Sequence, residues 1–538
     1  MVPPTKTEDI RDLARFGYRQ ELDRSLGSFS SFAAGFAYIS ILTGIFQTFP
    51  LGFAAAGPAF FWTWPVVVVG QFTVALGFAE LAASYPLSGG VYQWARRIGS
   101  PALGWMTGWV YLACSLLSLA AVALALQYTL PQIAPVFQLF GDGSDPSDRA
   151  RNAVLLGCAL LGLTTAINVA GVRFLARINN IAVAVELAGV LLLIVLLSCR
   201  ARRGPEVLLE THVRTEPGLA SWLGPLFSAA VVPSYVLYGF DTAGMLAEET
   251  KEPRRRAPRA ILQALLVAGV AGGLLLLAGL MAVADTTAPD LGEIRGGLSS
   301  IVKNALGPGL GTALLVSVVC AVSACALAVQ AGTVRLIFAM ARDNSLPFAR
   351  TLARVRHETR TPIAPALATG AIAVSILLVS INVPRIIETL CSIALVWANL
   401  AYLMVSLPLL FLRLQGWPEV VSPKPGVPAS ATARSAETRS SFTLGRWGLP
   451  VNLIAVSWGL VVVVNMGWPR SEIYGSDPVG RHAAILASLA LFGIGAAYYL
   501  TRAGRRSEIL PEHAANAGLG PNHALEHSPL PVGSARAD

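Results

Sequence analysis

Residues 237–260 read LYGFDTAGMLAEETKEPRRRAPRA, and the reading of this stretch decides the fold. From Ser221 an apolar run long enough to cross a bilayer leads into it, and a cluster of arginines follows it. Between them Asp241 stands flanked by Gly239 and Gly244, where a spanning helix should be continuous. A carboxylate inside hydrocarbon is expensive and usually functional, and glycine weakens a helix. A helix that stops and restarts inside the membrane, around something polar, accounts for all three residues.

The rest of the chain supports a membrane setting. Of its 538 residues 54% are hydrophobic and only 13% charged, and the mean hydropathy is positive; a soluble protein of this size carries more charge. The first thirty residues hold five basic and five acidic residues with no apolar core, so no cleavable signal peptide is expected. The six cysteines (Cys114, Cys158, Cys199, Cys320, Cys325, Cys391) lie in or at the ends of apolar segments and read as packing residues. The six histidines (His212, His357, His482, His513, His523, His527) fall in loops, at a helix start or in the tail. That excludes an intramembrane haem, a zinc site or a histidine relay. Only four of the forty basic residues are lysine, which points to a GC-rich bacterial genome.

Twelve stretches meet the requirement of about 20 apolar residues per spanning helix: near 31–56, 59–84, 102–130, 152–171, 178–198, 222–246, 259–284, 309–338, 363–381, 386–411, 449–467 and 481–501. They are too long and uniformly apolar for barrel strands, so an all-α polytopic membrane protein is expected. With the N-terminus inside, 28 basic residues fall on the cytoplasmic face and 11 on the outer one, with Arg335 inside the eighth span. This bias places both termini in the cytosol, in the plasma membrane. CRARRGPE, residues 199–206, is the one basic cluster on the outer face. The expected layout is a cytoplasmic segment (1–30), a five-helix block (31–198), a second block (222–412), a disordered loop (413–448), two further helices (449–501) and a disordered tail (502–538). The loop contains VSPKPGVPASATARSAETRSS, residues 421–441, rich in Pro, Ala and Ser.

Each block opens on a glycine-interrupted helix: FAAGFAYISILTGIFQTFPLGFAAAGP (32–58) and PLFSAAVVPSYVLYGFDTAGMLAEE (225–249). Because five is odd, the second block enters the membrane from the opposite side, the inverted pattern of secondary transporters. Unwinding near Gly44 and Gly239 would free amide N–H groups for a carboxylate and carbonyls for an ammonium, a seat for a small zwitterion. The competing reading makes each glycine a packing residue that lets helices approach.

Four stretches carry a family resemblance: TGI (43–45), GFAELAASYPLSGGVYQWA (77–95), GFDTAGMLAEETKEPRRRAPRAIL (239–262) and RLIFAMARDNSLP (335–347). In this order they resemble the amino acid–polyamine–organocation transporter superfamily, most like its amino acid/choline permease branch, over roughly residues 20–415. The resemblance implies an inverted five-plus-five, leucine-transporter-like fold with two extra helices. It also implies a substrate held midway between helices 1, 3, 6, 8 and 10. Ile41–Ile45 resembles the carboxylate-binding turn of that family, giving Thr43 and Gly44 as backbone donors, with Ser40 and Ile45 beside them. Leu42 stands where many relatives have another glycine. Tyr235 resembles the aromatic lid before the second break, and Tyr238, Gly239 and Phe240 lie at the break itself. Ser323 in helix 8, and Trp397 and Asn399 in helix 10, are further pocket candidates, with core packing the competing reading for Trp397.

Three acids fall inside spans: Glu80, Glu186 and Asp241. NNIAVAVELAGVLLL (179–193) resembles the helix 5 stretch where several relatives carry a lysine facing the first broken helix, and Glu186 occupies that position. It either exchanges a proton in step with transport or stays neutral and bonded to a neighbouring carbonyl. Asp241 reads as a gate residue or a helix cap. Glu248, Glu249, Arg254, Arg255, Arg256 and Arg259 form either a solvated anchor or a gating ion pair toward the helix 2–3 or 8–9 loops. Arg335 seeks an acidic partner that the sequence leaves open.

No Walker A spacing surrounds Lys6, Lys251, Lys303 or Lys424, so a nucleotide-driven pump is not expected. No nucleophile–base pair or metal cluster falls within the spans, which argues against a membrane enzyme, and no signalling domain supports a sensor. The expected function is secondary transport of amino acids by alternating access, as symport or exchange. The runner-up is transport of an amine without an α-carboxylate, such as choline, ethanolamine, a GABA-like compound or a polyamine. No cofactor is expected beyond a coupling proton, and no nucleic acid partner.

Overall fold

A computed structural model of the chain describes residues 12–143, 145–211, 219–293, 296–381, 386–417, 442–470, 478–506 and 508–515. The Pro-, Ala- and Ser-rich stretch 421–441, the N-terminal residues 1–11 and the tail 516–538 lie outside the described residues. Among the described residues β-structure is limited to isolated bridges, and helices run throughout. Nine helical stretches among the described residues are long and apolar enough to cross a membrane; the first of them, Ser28–Ser84, holds two spans. Two shorter apolar helices, Leu223–Val236 and Ile363–Val379, bring the total to twelve.

The spans are numbered here in chain order. Span 1 is Ser28–Ile39 (1a) and Ile41–Ala56 (1b), and span 2 is Thr63–Ser84. Span 3 runs Pro101–Leu124 and, after a kink at Ala125, Leu126–Ile133. Spans 4 and 5 are Pro146–Ala170 and Val172–Cys199. Span 6 comes in pieces, Leu219–Ala229, Val231–Val236 (6a) and the single turn Thr242–Met245 (6b). Spans 7 to 10 are Pro253–Ala282, Pro308–Arg342, Ile363–Val379 and Ile386–Leu414. Gly448–Gly467 and Ala483–Tyr498 are spans 11 and 12.

Packing follows the two-block pattern. Spans 1, 2 and 3 each pack against their counterpart five spans later: 1b on 6a, 2 on 7, and 3 on 8. Lipid offers no hydrophobic drive for helix association, so close approach depends on small residues. Span 7 shows this: at Gly272 an added Cβ would fall 2.3 Å from the Trp64 ring of span 2, whose indole N–H donates to the Gly269 carbonyl at 2.7 Å. Span 10 packs on both 3 and 11, span 11 packs on span 2 and span 12 on span 3, so the additional pair leans on both blocks. The basic cluster after span 5 is tied down as well, since the amides of Arg202 and Arg203 donate to the Met281 carbonyl at the end of span 7.

Candidate functional site

Span 1 breaks at Ser40, whose φ of +40° lies in the left-handed region that non-glycine residues rarely occupy. Ser40 closes 1a by donating its amide to Phe36 O (2.8 Å) and opens 1b as its N-cap, its Oγ accepting from the Thr43 amide at 3.4 Å. The break is thus one turn earlier than the Gly44 region expected from sequence. Gly44 lies inside 1b, its N–H already bonded to Ser40 O at 3.0 Å, so it is not a free donor in this conformation. Its role is close approach: an added Cβ would stand 2.6 Å from Val236 Cγ2 on 6a.

The positive end of 1b is occupied by a carboxylate of the chain itself. Glu186, fully buried on span 5, accepts from Ser40 Oγ (2.9 Å) and from the Leu42 amide (3.2 Å) through one oxygen. Amide N–H groups and the helix dipole make this an anion seat. The other oxygen, Oε2, is buried and has no hydrogen-bond partner among the described residues. Ser40 Oγ also lies 2.6 Å from Thr43 Oγ1, which connects the seat to the cavity described below.

The second break runs from Leu237 to Asp241 and turns on Gly239, φ +89°. A side chain there would collide with Tyr38, whose Cδ1 lies 1.9 Å from an added Cβ. Tyr402 of span 10 fills the opening: its hydroxyl accepts the Gly239 N–H at 2.8 Å and donates to Asp241 Oδ1. Tyr111 of span 3 donates to the same oxygen at 2.8 Å. The Asp241 side chain makes no capping bond to 6b, so the helix-cap reading does not hold. It instead binds spans 3, 6 and 10 together.

Between the two breaks lies a narrow cavity of about 10 Å³, room for about one water molecule in this conformation. Tyr38, Ile39, Thr43 and Gly44 of span 1 line it, with Ser118 and Val122 of span 3, Tyr235 and Tyr238 of span 6, and Cys325 and Val329 of span 8. Tyr238 and Ser118 share a hydroxyl–hydroxyl bond of 2.7 Å, and the Cys325 thiol donates to the Tyr38 carbonyl beside the first break. Of the sequence candidates, Thr43, Gly44, Tyr235 and Tyr238 line this space. Ser40, Gly239 and Phe240 shape the breaks beside it, while Ile45 is buried behind in the core. Ser323 lies off the cavity, bonded to Val319 O on its own helix, because residues 325 and 329 present the inner face of span 8. Trp397 is directed to span 12, its indole N–H on Ser488 Oγ at 2.9 Å, and Asn399 accepts from Gln71 of span 2. Tyr38, Ser118 and Cys325 escaped the sequence reading because nothing local separates them from ordinary packing residues.

The described N-terminal residues from 12 and C-terminal residues up to 515 meet on one face, closed by acids after span 6 that pair with arginines of span 8. Glu248 pairs with Arg342 at the end of span 8 through two bonds of 2.8 and 3.0 Å, and also accepts the Ser88 amide. Glu249 pairs with Arg335 through bonds of 3.0 and 3.1 Å, which identifies the partner the sequence left open. All four side chains are buried. Arg335 and Arg342 are seven residues apart, two turns along one helix face. Next to them Asp343 accepts from Arg96 (2.5 Å), Tyr92 (2.8 Å) and Tyr18 (2.9 Å). Burial, with the Asp343 charge adding to it, pushes the Tyr18 hydroxyl up to about 12, so it remains a protonated donor. Glu80 is buried at the end of span 2, bound to Arg413 of span 10, Thr443 Oγ1 and the Leu444 amide. It ties the first block to span 10 and to the segment leading into span 11.

The sequence has counterparts among known proteins. The family model described as amino acid permease matches residues 26–489. Amino-acid permease BAT1 of Arabidopsis thaliana is 26% identical over 527 residues, covering 93% of this chain and 97% of that protein. The BAT1 homolog of Oryza sativa is 28% identical, covering 89% and 91%. Amino-acid permease 2 of Neurospora crassa is 24% identical, covering 87% and 83%. The inverted blocks, the paired helix breaks and this end-to-end similarity agree: the chain belongs to the amino acid permease family, as a multi-pass membrane protein.

Proposed function

We propose that this chain is a secondary transporter that moves amino acids across the plasma membrane by alternating access, with protons as the coupling ion and Glu186 as the coupling carboxylate. One observation carries the reading: Glu186 already sits on the amides at the start of span 1b, where a substrate carboxylate would bind. Two ionised carboxylates cannot share one helix N-terminus without strong repulsion. An amino acid that docks there therefore requires Glu186 to take up a proton or withdraw, and its return expels the guest. Substrate and proton are thereby linked, as symport or as exchange.

The face that carries both chain ends is read as cytoplasmic from the 28-to-11 distribution of basic residues. The arginine-rich composition supports a bacterial source, while the relatives named above come from plants and fungi.

A second reading has its own support. An amine without an α-carboxylate leaves Glu186 in its seat and meets the rings of Tyr38, Tyr235 and Tyr238, which line the cavity. Uptake into proteoliposomes of labelled amino acids and amines, with and without an imposed pH gradient, separates the two. Amino acid uptake driven by an inward proton gradient, lost in Glu186→Gln while exchange persists, is the expected result. The coupling role fails if Glu186→Gln transports with unchanged pH dependence.

A further inference from the structure

The C-terminal segment 508–515 does not leave the molecule after span 12; it returns across the face that Glu248 and Arg342 close. The Leu510 amide donates to the carbonyl of Arg342, the last residue of span 8, at 2.9 Å. Ala514 forms an antiparallel bridge with Tyr18, with Arg19 N–H on His513 O and Ala515 N–H on Gly17 O, both 3.0 Å. His513 is buried, its Nδ1 lies 2.8 Å from Glu21 Oε2, and its ring stands edge-on to Phe338 of span 8. Ile509 joins Leu13, Phe16, Tyr18 and Leu87 in a small apolar cluster.

These contacts converge on the pair that must part when this face opens. Arg342, bonded to Glu248, is stacked between the Tyr18 ring (3.8 Å from its centroid) and the Phe338 ring (5.1 Å). Tyr18 is also bridged to Ala514 and bonded to Asp343, and Phe338 touches His513. Separation of span 6 from span 8 at this end therefore strains the C-terminal segment, which runs from span 12, outside the two five-span blocks.

We propose that residues 508–515 form a strap that holds this gate shut by clipping the N-terminal segment onto the end of span 8, so that its release controls opening toward the chain ends. The strap is an internal inhibitory contact. It slows opening on this side and leaves the other side free.

Hydrogen–deuterium exchange on the purified full chain tests this without any substrate, so its outcome is independent of the transport reading. Three variants are compared with the parent: a chain ending at Arg506, and full-length His513→Ala and Ala515→Pro, which remove the ring contact with its bond to Glu21 and one bridge bond. Loss of several hydrogen bonds, one of them to the Glu21 carboxylate, is expected to speed exchange about tenfold in peptides covering 243–252 and 336–346 in the shortened chain. The point variants are expected to give about threefold, by the same bonds taken singly. Exchange in the outer half of span 1b, residues 48–56, should remain at the parent rate. Rates at both ends of the gate within twofold of the parent in the point variants overturn the strap, whether or not the shortened chain folds. So does acceleration spread evenly over the molecule, which marks a purely structural contact.

Discussion

Replacement of Gly44 by alanine offers the sharpest test of how the two broken helices meet. The new Cβ would lie 2.6 Å from Val236 Cγ2 and 3.2 Å from its Cβ and Cγ1, closer than the 3.4 Å at which ordinary contact begins. The neighbour is a branched, buried side chain on 6a that has little room to swing away. Overpacking of this kind costs about 1–3 kcal/mol. At about 1.4 kcal/mol per factor of ten, the state in which 1b and 6a touch should fall roughly five- to 150-fold in population. Gly44→Ala should therefore lower the initial rate of uptake into proteoliposomes by at least about fivefold on the same scale. Truncation of Val236 to alanine removes both Cγ methyls and the clash with them, so Gly44→Ala/Val236→Ala should recover to the level of Val236→Ala alone. The coupling between the two sites should measure about 0.5–3 kcal/mol in a double-mutant cycle. Parent-like transport by Gly44→Ala, or a double variant no better than Gly44→Ala, would refute direct packing of the two half-helices.

Tyr402→Phe leaves the buried Gly239 N–H without its acceptor and removes a donor from Asp241, a loss of about 1–3 kcal/mol that should appear as a lower unfolding temperature in detergent and reduced uptake. Asp241→Ala removes the acceptor of two tyrosine hydroxyls, and should abolish uptake while the protein still elutes as a single species. Glu249→Gln strands the Arg335 charge in the interior, at about 3–5 kcal/mol, and should collapse the yield of folded protein on fluorescence-detected size exclusion. Arg335→Met added to Glu249→Gln should restore much of that yield, since the charge left unpaired is then gone.

The bundle was largely legible from hydropathy. Twelve apolar stretches correspond to twelve spans within a few residues, because length and apolarity are what a bilayer imposes on a helix. The break at Gly239 was legible too, since a positive φ beside a packed Tyr38 requires glycine. The break at Ser40 was not. Serine is an ordinary residue in a membrane helix, and only Glu186, 146 positions away, makes its left-handed conformation worthwhile by bonding the hydroxyl and the amide beyond it. The same non-locality hid Tyr111 and Tyr402, which reach Asp241 from two other spans and look like packing aromatics in sequence. The charged edge after span 6 offered its acids openly, but which arginine met which depended on how span 6 ends against span 8.

The central claim is that substrate sits between the two helix breaks and competes there with Glu186. The most direct measurement is an electron cryomicroscopy structure of the full chain with a saturating transported amino acid. Density is expected between Thr43 and Tyr235–Tyr238, with its carboxylate on the Ile41–Thr43 amides and Glu186 drawn away from Leu42. Substrate bound elsewhere, or bound there with Glu186 still on the Leu42 amide, contradicts it.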